Sequence, residues 1–143
     1  MINKSLDFIK LSSKNLINFN CKVKNIYING DEDQLNRVFI NLIKNSEESF
    51  LEKSQKDPSF IGNIEIEIDD NNDYIIINII DNGTGITDAK KVMTPYFTTK
   101  KTGTGLGLPI VTKIINEHSG NFSIKNKKDK SGTVITISLP IHD

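Results

Sequence analysis

The sequence predicts an α+β two-layer sandwich, with a mixed sheet of about five strands covered on one face by helices. Two observations carry that expectation. Strand candidates (25–29, 64–68, 74–80, 121–125 and 133–139), alternating or, at 74–80, almost wholly apolar, are interleaved with two runs whose apolar residues recur at helical spacing. The 143 residues also fit one domain, without a linker or internal repeat that would divide them.

In chain order, residues 1–30 are poorly defined apart from Asn25-Ile26-Tyr27-Ile28-Asn29, which alternates as a strand and stops at Gly30-Asp31. From Asp31 to about Lys53 the period becomes helical. Leu35, Val38, Phe39, Leu42, Ile43 and Phe50 form one face, and Asp31, Glu32 and Asp33 suit the positive end of the helix dipole. Asn41 and Asn45 lie one turn apart beside that face, where they are either solvated or line a pocket. Ile64–Ile68 alternates apolar and acidic residues, whereas Tyr74–Ile80 is almost wholly apolar and suits the middle of the sheet. Asp70-Asn71-Asn72-Asp73 between them is turn chemistry, so the pair reads as a hairpin. Gly107-Leu108-Pro109 opens a second helix, with Pro109 tolerated in the first turn; it ends at His118-Ser119-Gly120. Asn121–Lys125 and Thr133–Leu139 close the chain as strands around a basic turn.

Composition narrows the classes. Hydrophobic content of 36% and charged content of 25% suffice for a real core. The formal net charge is zero, so no overall field draws the domain to nucleic acid or an anionic membrane. Cys21 is the single cysteine, which excludes an internal disulfide and suits a reducing compartment. No stretch reaches the roughly 20 apolar residues of a membrane helix, and the start lacks the apolar core of a secretory leader. The expectation is a soluble, cytoplasmic domain, monomeric in isolation, whether or not the parent protein is membrane-anchored.

Chemistry concentrates in 81–108, which holds five of the nine glycines. The central strand runs into Asp81-Asn82-Gly83-Thr84-Gly85. A carboxylate there either caps a turn or accepts a hydrogen bond from an adenine amine, with glycine letting backbone approach the ring. Gly103-Thr104-Gly105-Leu106-Gly107-Leu108 leads into a helix and is either a hinge or an anion cradle of free N–H groups. It is neither a Walker loop nor a dinucleotide fingerprint, since no Lys-Ser/Thr follows and loop precedes it. Between the clusters, Pro95-Tyr96-Phe97-Thr98-Thr99-Lys100-Lys101 supplies loop anchors and cations for phosphate or for solvent.

The order of these motifs resembles the N, G1, F and G2 boxes of histidine kinase ATP-binding domains, in the class shared with gyrase, MutL and the heat-shock chaperone ATPases. It is most similar to the nitrogen-regulation (NtrB/NtrY-like) branch through Asn41-Leu42-Ile43-Lys44-Asn45-Ser46, Pro95–Lys100, Gly103–Leu108 and Ile115–Gly120. The resemblance covers about residues 30–140 and implies a Bergerat-type fold with about three helices on the sheet. It implies that residues 1–143 form a single ATP-binding catalytic domain, with 86–108 as its lid. The reaction it implies is transfer of the γ-phosphoryl of Mg-ATP to a histidine.

The resemblance also implies roles at matching positions. Asn45 would ligate Mg²⁺, with Asn41 beside it near the phosphates. Asp81 would read adenine, helped by Gly83, Gly85 and Thr133. Gly103, Thr104, Gly105, Leu106, Gly107 and Leu108 would cradle phosphate, Phe97 would seat the lid, and Lys100 would neutralise charge. Asn41 stands where related ATPases place a water-activating Glu, which implies slow hydrolysis. Ser46 replaces a commoner Ala, a change expected to be mild. Neither His118 nor His142 lies in a helical hairpin, so the phospho-accepting histidine is expected on a dimerisation domain that these 143 residues do not include, with a response regulator downstream. An orphan nucleotide-binding module is the rival reading.

Overall fold

Most elements form where local chemistry and the pattern of apolar residues agree. The computed structural model describes residues 16–21, 28, 30–85, 107–128 and 131–141. The elements are β1 (Leu16–Cys21), α1 (Glu32–Lys56), β2 (Asn63–Asp70), β3 (Tyr74–Asp81), α2 (Gly107–Glu117), β4 (Asn121–Asn126) and β5 (Thr133–Pro140). The Asp31 carboxylate caps α1 by accepting from the N–H groups of Asp33 (2.9 Å) and Gln34 (3.2 Å), a cap worth about 1 kcal/mol. The first turn carries Glu32 and Asp33 and the last Lys53 and Lys56, both matched to the helix dipole. The β2–β3 turn is built on Asn71, whose side-chain oxygen accepts from the N–H groups of Asp73 and Tyr74 at 3.1 and 2.8 Å.

The five strands form one mixed sheet in the order β1-β2-β3-β5-β4, with β1 parallel to β2 and every other pair antiparallel. Its apolar β3 is the central strand, as its composition predicts. On the inner face Ile64, Ile66 and Ile68, Ile77 and Ile79, and Ile135, Ile137 and Leu139 meet the α1 stripe and Val111, Ile114 and Ile115 of α2. The outer face of β2 carries exposed Glu65, Glu67 and Asp69. The sheet is thus covered on one side by two helices among the described residues. A strand at Leu16–Cys21 was not read from sequence, and of the one expected at 25–29 only Ile28 is described, outside any strand.

The two helices are fastened end to start through His118. Its Nε2 accepts the Asp31 N–H at 3.0 Å, so the ring proton sits on Nδ1 and is donated to the Ile114 carbonyl at 2.8 Å. Both ring nitrogens are engaged, which makes His118 a latch between the start of α1 and the end of α2. The left-handed position after α2 is Ser119, with φ 60°, and not the glycine that follows. Gly120 is required for a different reason: a Cβ there would lie 2.4 Å from the Ser138 carbonyl oxygen.

Candidate nucleotide site

The site grows from the last residue of β3. Strand alternation turns Asp81 to the inner face, where it is 4% exposed at the end of an otherwise apolar row. A buried carboxylate needs donors, and three elements bring them. Oδ1 accepts the N–H groups of Gly83 (3.0 Å) and Thr133 (3.2 Å). Oδ2 accepts the hydroxyls of Ser46 (2.8 Å) and Thr133 (2.7 Å). α1, the turn after β3 and the start of β5 therefore converge on one side chain.

The turn that follows is pinned on every side. The Thr84 N–H donates to Ser49 Oγ at 2.7 Å, and the two hydroxyls share a hydrogen bond at 3.0 Å. Asn82 accepts the Asn63 N–H on Oδ1 (2.7 Å) and donates from Nδ2 to the Ile61 carbonyl (3.2 Å). Lys53 stands over the Phe60 ring and donates to the Asn82 carbonyl at 3.0 Å. From the β5 side the Ser131 hydroxyl donates to the Gly83 carbonyl. Glycine is required at Gly132, where φ is 138° and a Cβ would lie 2.1 Å from the Asp81 carbonyl oxygen. Gly85 also sits in the left-handed region, with φ 79°.

Among the residues singled out in the sequence, the structure brings together Asp81, Gly83, Gly85 and Thr133. Asn41 and Asn45 lie half-buried on α1, and the turn after Asn45 supplies Ser46 and Ser49 to the Asp81 end. Gly107 opens α2 and Leu108 packs against the core. Phe97, Lys100, Gly103, Thr104, Gly105 and Leu106 lie outside the described residues, as do 86–106 of the expected lid. The reading of Ser46 as a mild replacement is incomplete, because its hydroxyl bonds Asp81 directly. Ser49, Lys53, Asn82 and Ser131 were not singled out. A signal for the two serines existed: they fall on the α1 stripe with Leu42, Ile43 and Phe50, and a buried hydroxyl implies a partner.

The model for the histidine kinase-, DNA gyrase B- and HSP90-like ATPases matches residues 30–143. The chain belongs to this family. It is 38% identical over 117 residues to sporulation kinase A of Bacillus subtilis, covering 80% of this chain and 18% of that protein. Against a putative NtrY-like sensor histidine kinase of Rickettsia bellii the identity is 34% over 146 residues, covering all of this chain and 23% of the relative. The chain thus spans less than a quarter of either relative. Among solved structures, the catalytic domain of histidine kinase ThkA in a nucleotide-free form superposes with a TM-score of 0.80 at 26% identity, over 97% of this chain and 89% of that one. The fold and sequence are those of the ATPase domain of sensor histidine kinases. No described helix is long and apolar enough to cross a membrane.

Proposed function

We propose that this chain is the ATP-binding catalytic domain of a sensor histidine kinase, cytoplasmic and monomeric in isolation, acting on a histidine of the parent kinase's dimerisation domain, with a response regulator as the next acceptor. Asp81 carries the reading. It is a buried carboxylate at the end of the central strand, followed by a turn containing Gly83 and Gly85, and its two oxygens are held in fixed directions by four donors. In this reading Asp81 accepts the 6-amine of adenine, with Thr133, Gly83 and Gly85 shaping the ring's surroundings.

The phosphates then extend toward Asn45 and Asn41, one and two turns up α1 from Ser49. Among the described residues no cluster of His, Cys, Asp and Glu is arranged for a metal ion. Asn45, half-buried on α1, nonetheless offers an amide oxygen that suits Mg²⁺, which prefers oxygen and keeps several waters. When bound, that ion would offset charge on the phosphates. Residues 86–108 form the lid in this proposal: Phe97 seats it, Lys100 neutralises charge, and Gly103, Thr104, Gly105, Leu106, Gly107 and Leu108 offer N–H groups to phosphate. Asn41 has no basic group to activate water, so the bound nucleotide is kept for a histidine nucleophile and catalysis is mostly positioning.

Calorimetric titration with ATP and ADP, with and without Mg²⁺, tests this. Micromolar-range binding is expected, with Asn45→Ala losing the Mg²⁺ dependence. A folded wild-type domain that binds neither nucleotide under any Mg²⁺ condition overturns the proposal.

A further inference from the structure

We propose that Ser46 is a positioning residue for base recognition: its hydroxyl fixes the plane of the Asp81 carboxylate and so sets the preference for purines bearing a 6-amino group. This rests on the reading of Asp81 as the adenine acceptor. Ser46 is 2% exposed and sits, with Ser49, on the buried stripe of α1 between Ile43 and Phe50. A buried hydroxyl there costs stability unless it is bonded. Its bond is to Asp81 Oδ2, at 2.8 Å.

The donors on Asp81 are unevenly distributed. Thr133 contributes its N–H and its hydroxyl from β5, and Gly83 contributes an N–H from the turn itself. Ser46 is the one donor from α1 among the described residues. Without it the carboxylate is tethered from the sheet side only, and Oδ2 keeps a single rotatable hydroxyl as its partner. A carboxylate offers about four acceptor directions, and four protein donors fill them here. An incoming amine must therefore share a lone pair, which makes its hydrogen bond sensitive to any tilt of the carboxylate plane.

Ser49 provides an internal comparison. It is also buried, one turn further along the same face, yet its hydroxyl binds Thr84 and not Asp81. Removing it loosens the glycine turn while leaving the four carboxylate donors in place. A contribution to packing alone would make the two serines equivalent; a contribution through the carboxylate distinguishes them.

The test compares dissociation constants of ATP and of purine riboside triphosphate, which lacks only the 6-amino group, for the wild-type chain, Ser46→Ala, Ser46→Cys and Ser49→Ala. The wild type is expected to prefer ATP. Ser46→Ala should reduce that preference about three- to tenfold, the scale of one net hydrogen bond. The loss should fall on ATP, with the analogue's affinity unchanged within about twofold. Ser46→Cys keeps a weaker donor, should lie between the two, and serves if the alanine variant does not fold. Ser49→Ala should leave the ratio unchanged whatever it does to affinity. Equal weakening of both nucleotides in the Ser46 variants, or a ratio that stays the same or rises, overturns the proposal. A wild type without any preference for ATP sinks the Asp81 reading and this inference with it; a preference undiminished in the Ser46 variants sinks this inference alone.

Discussion

Replacing Asp81 by Asn probes the site with one atom changed, and the four donors around it determine how the amide must sit. Two of them, the N–H groups of Gly83 and Thr133 on Oδ1, are backbone and cannot turn round. The amide therefore places its carbonyl oxygen there and its NH₂ where Oδ2 was. The Ser46 and Thr133 hydroxyls facing that position are rotors and can switch from donating to accepting. Four hydrogen bonds survive in number but lose the strengthening that charge provides, at roughly 1 kcal/mol each, while relief of carboxylate burial offsets part of the loss. The net destabilisation should be about 1–2 kcal/mol, so the variant folds. Nucleotide binding suffers more, because a donor now faces the adenine amine. Losing the acceptor and opposing two donors amounts to about 3 kcal/mol, or at least a hundredfold in affinity. Urea denaturation gives the first quantity and calorimetric titration with ADP the second. Binding within about threefold of the wild type refutes the assignment of Asp81. A destabilisation beyond about 4 kcal/mol refutes the rotation of the hydroxyls.

Further outcomes follow from the same geometry. Gly132→Ala drives a Cβ to 2.1 Å from the Asp81 carbonyl oxygen at a φ of 138°; it should cost about 2–4 kcal/mol and weaken ADP binding, read by thermal melting with and without ADP. Ser119→Gly relieves a left-handed serine and should stabilise by about 0.5–1 kcal/mol, seen as a higher urea midpoint. His118→Ala removes both bonds of the latch between α1 and α2 and should cost about 1–2 kcal/mol in the same assay, while phosphoryl transfer to a separate dimerisation domain continues.

Much of the fold was legible because local patterns agreed with their eventual surroundings. β2, α1, α2 and the last two strands each follow one pattern between clear boundary residues, and β3 is an apolar run that follows a turn. β1 escaped for a physical reason. Ile17, Phe19 and Cys21 alternate with Asn18 and Asn20, and asparagine disfavours strands. Its pairing comes from β2, with Asn18 bonded to Asn63, 45 residues away, and no local pattern announces so distant a parallel partner. At the site, Asp81 stood out as a carboxylate at a strand end before glycines, whereas Thr133 entered only through the family resemblance. The polar seam of Ser46, Ser49 and Lys53 against the turn was not, because it exists only once α1 lies across the sheet at one height. Asn82 reads as a turn residue, yet it ties together the approaches to two strands.

The reading as a kinase domain is tested most directly by phosphoryl transfer itself. The chain is mixed with a histidine-containing dimerisation domain from a cognate sensor kinase and with Mg-ATP labelled at the γ-phosphate. Label is expected on the partner as an acid-labile, base-stable phosphohistidine, with little free phosphate released by the chain alone, and Asp81→Asn should abolish it. Brisk hydrolysis without transfer, or an acid-stable phosphate on the partner, contradicts a histidine kinase and points to another activity of the same ATPase family.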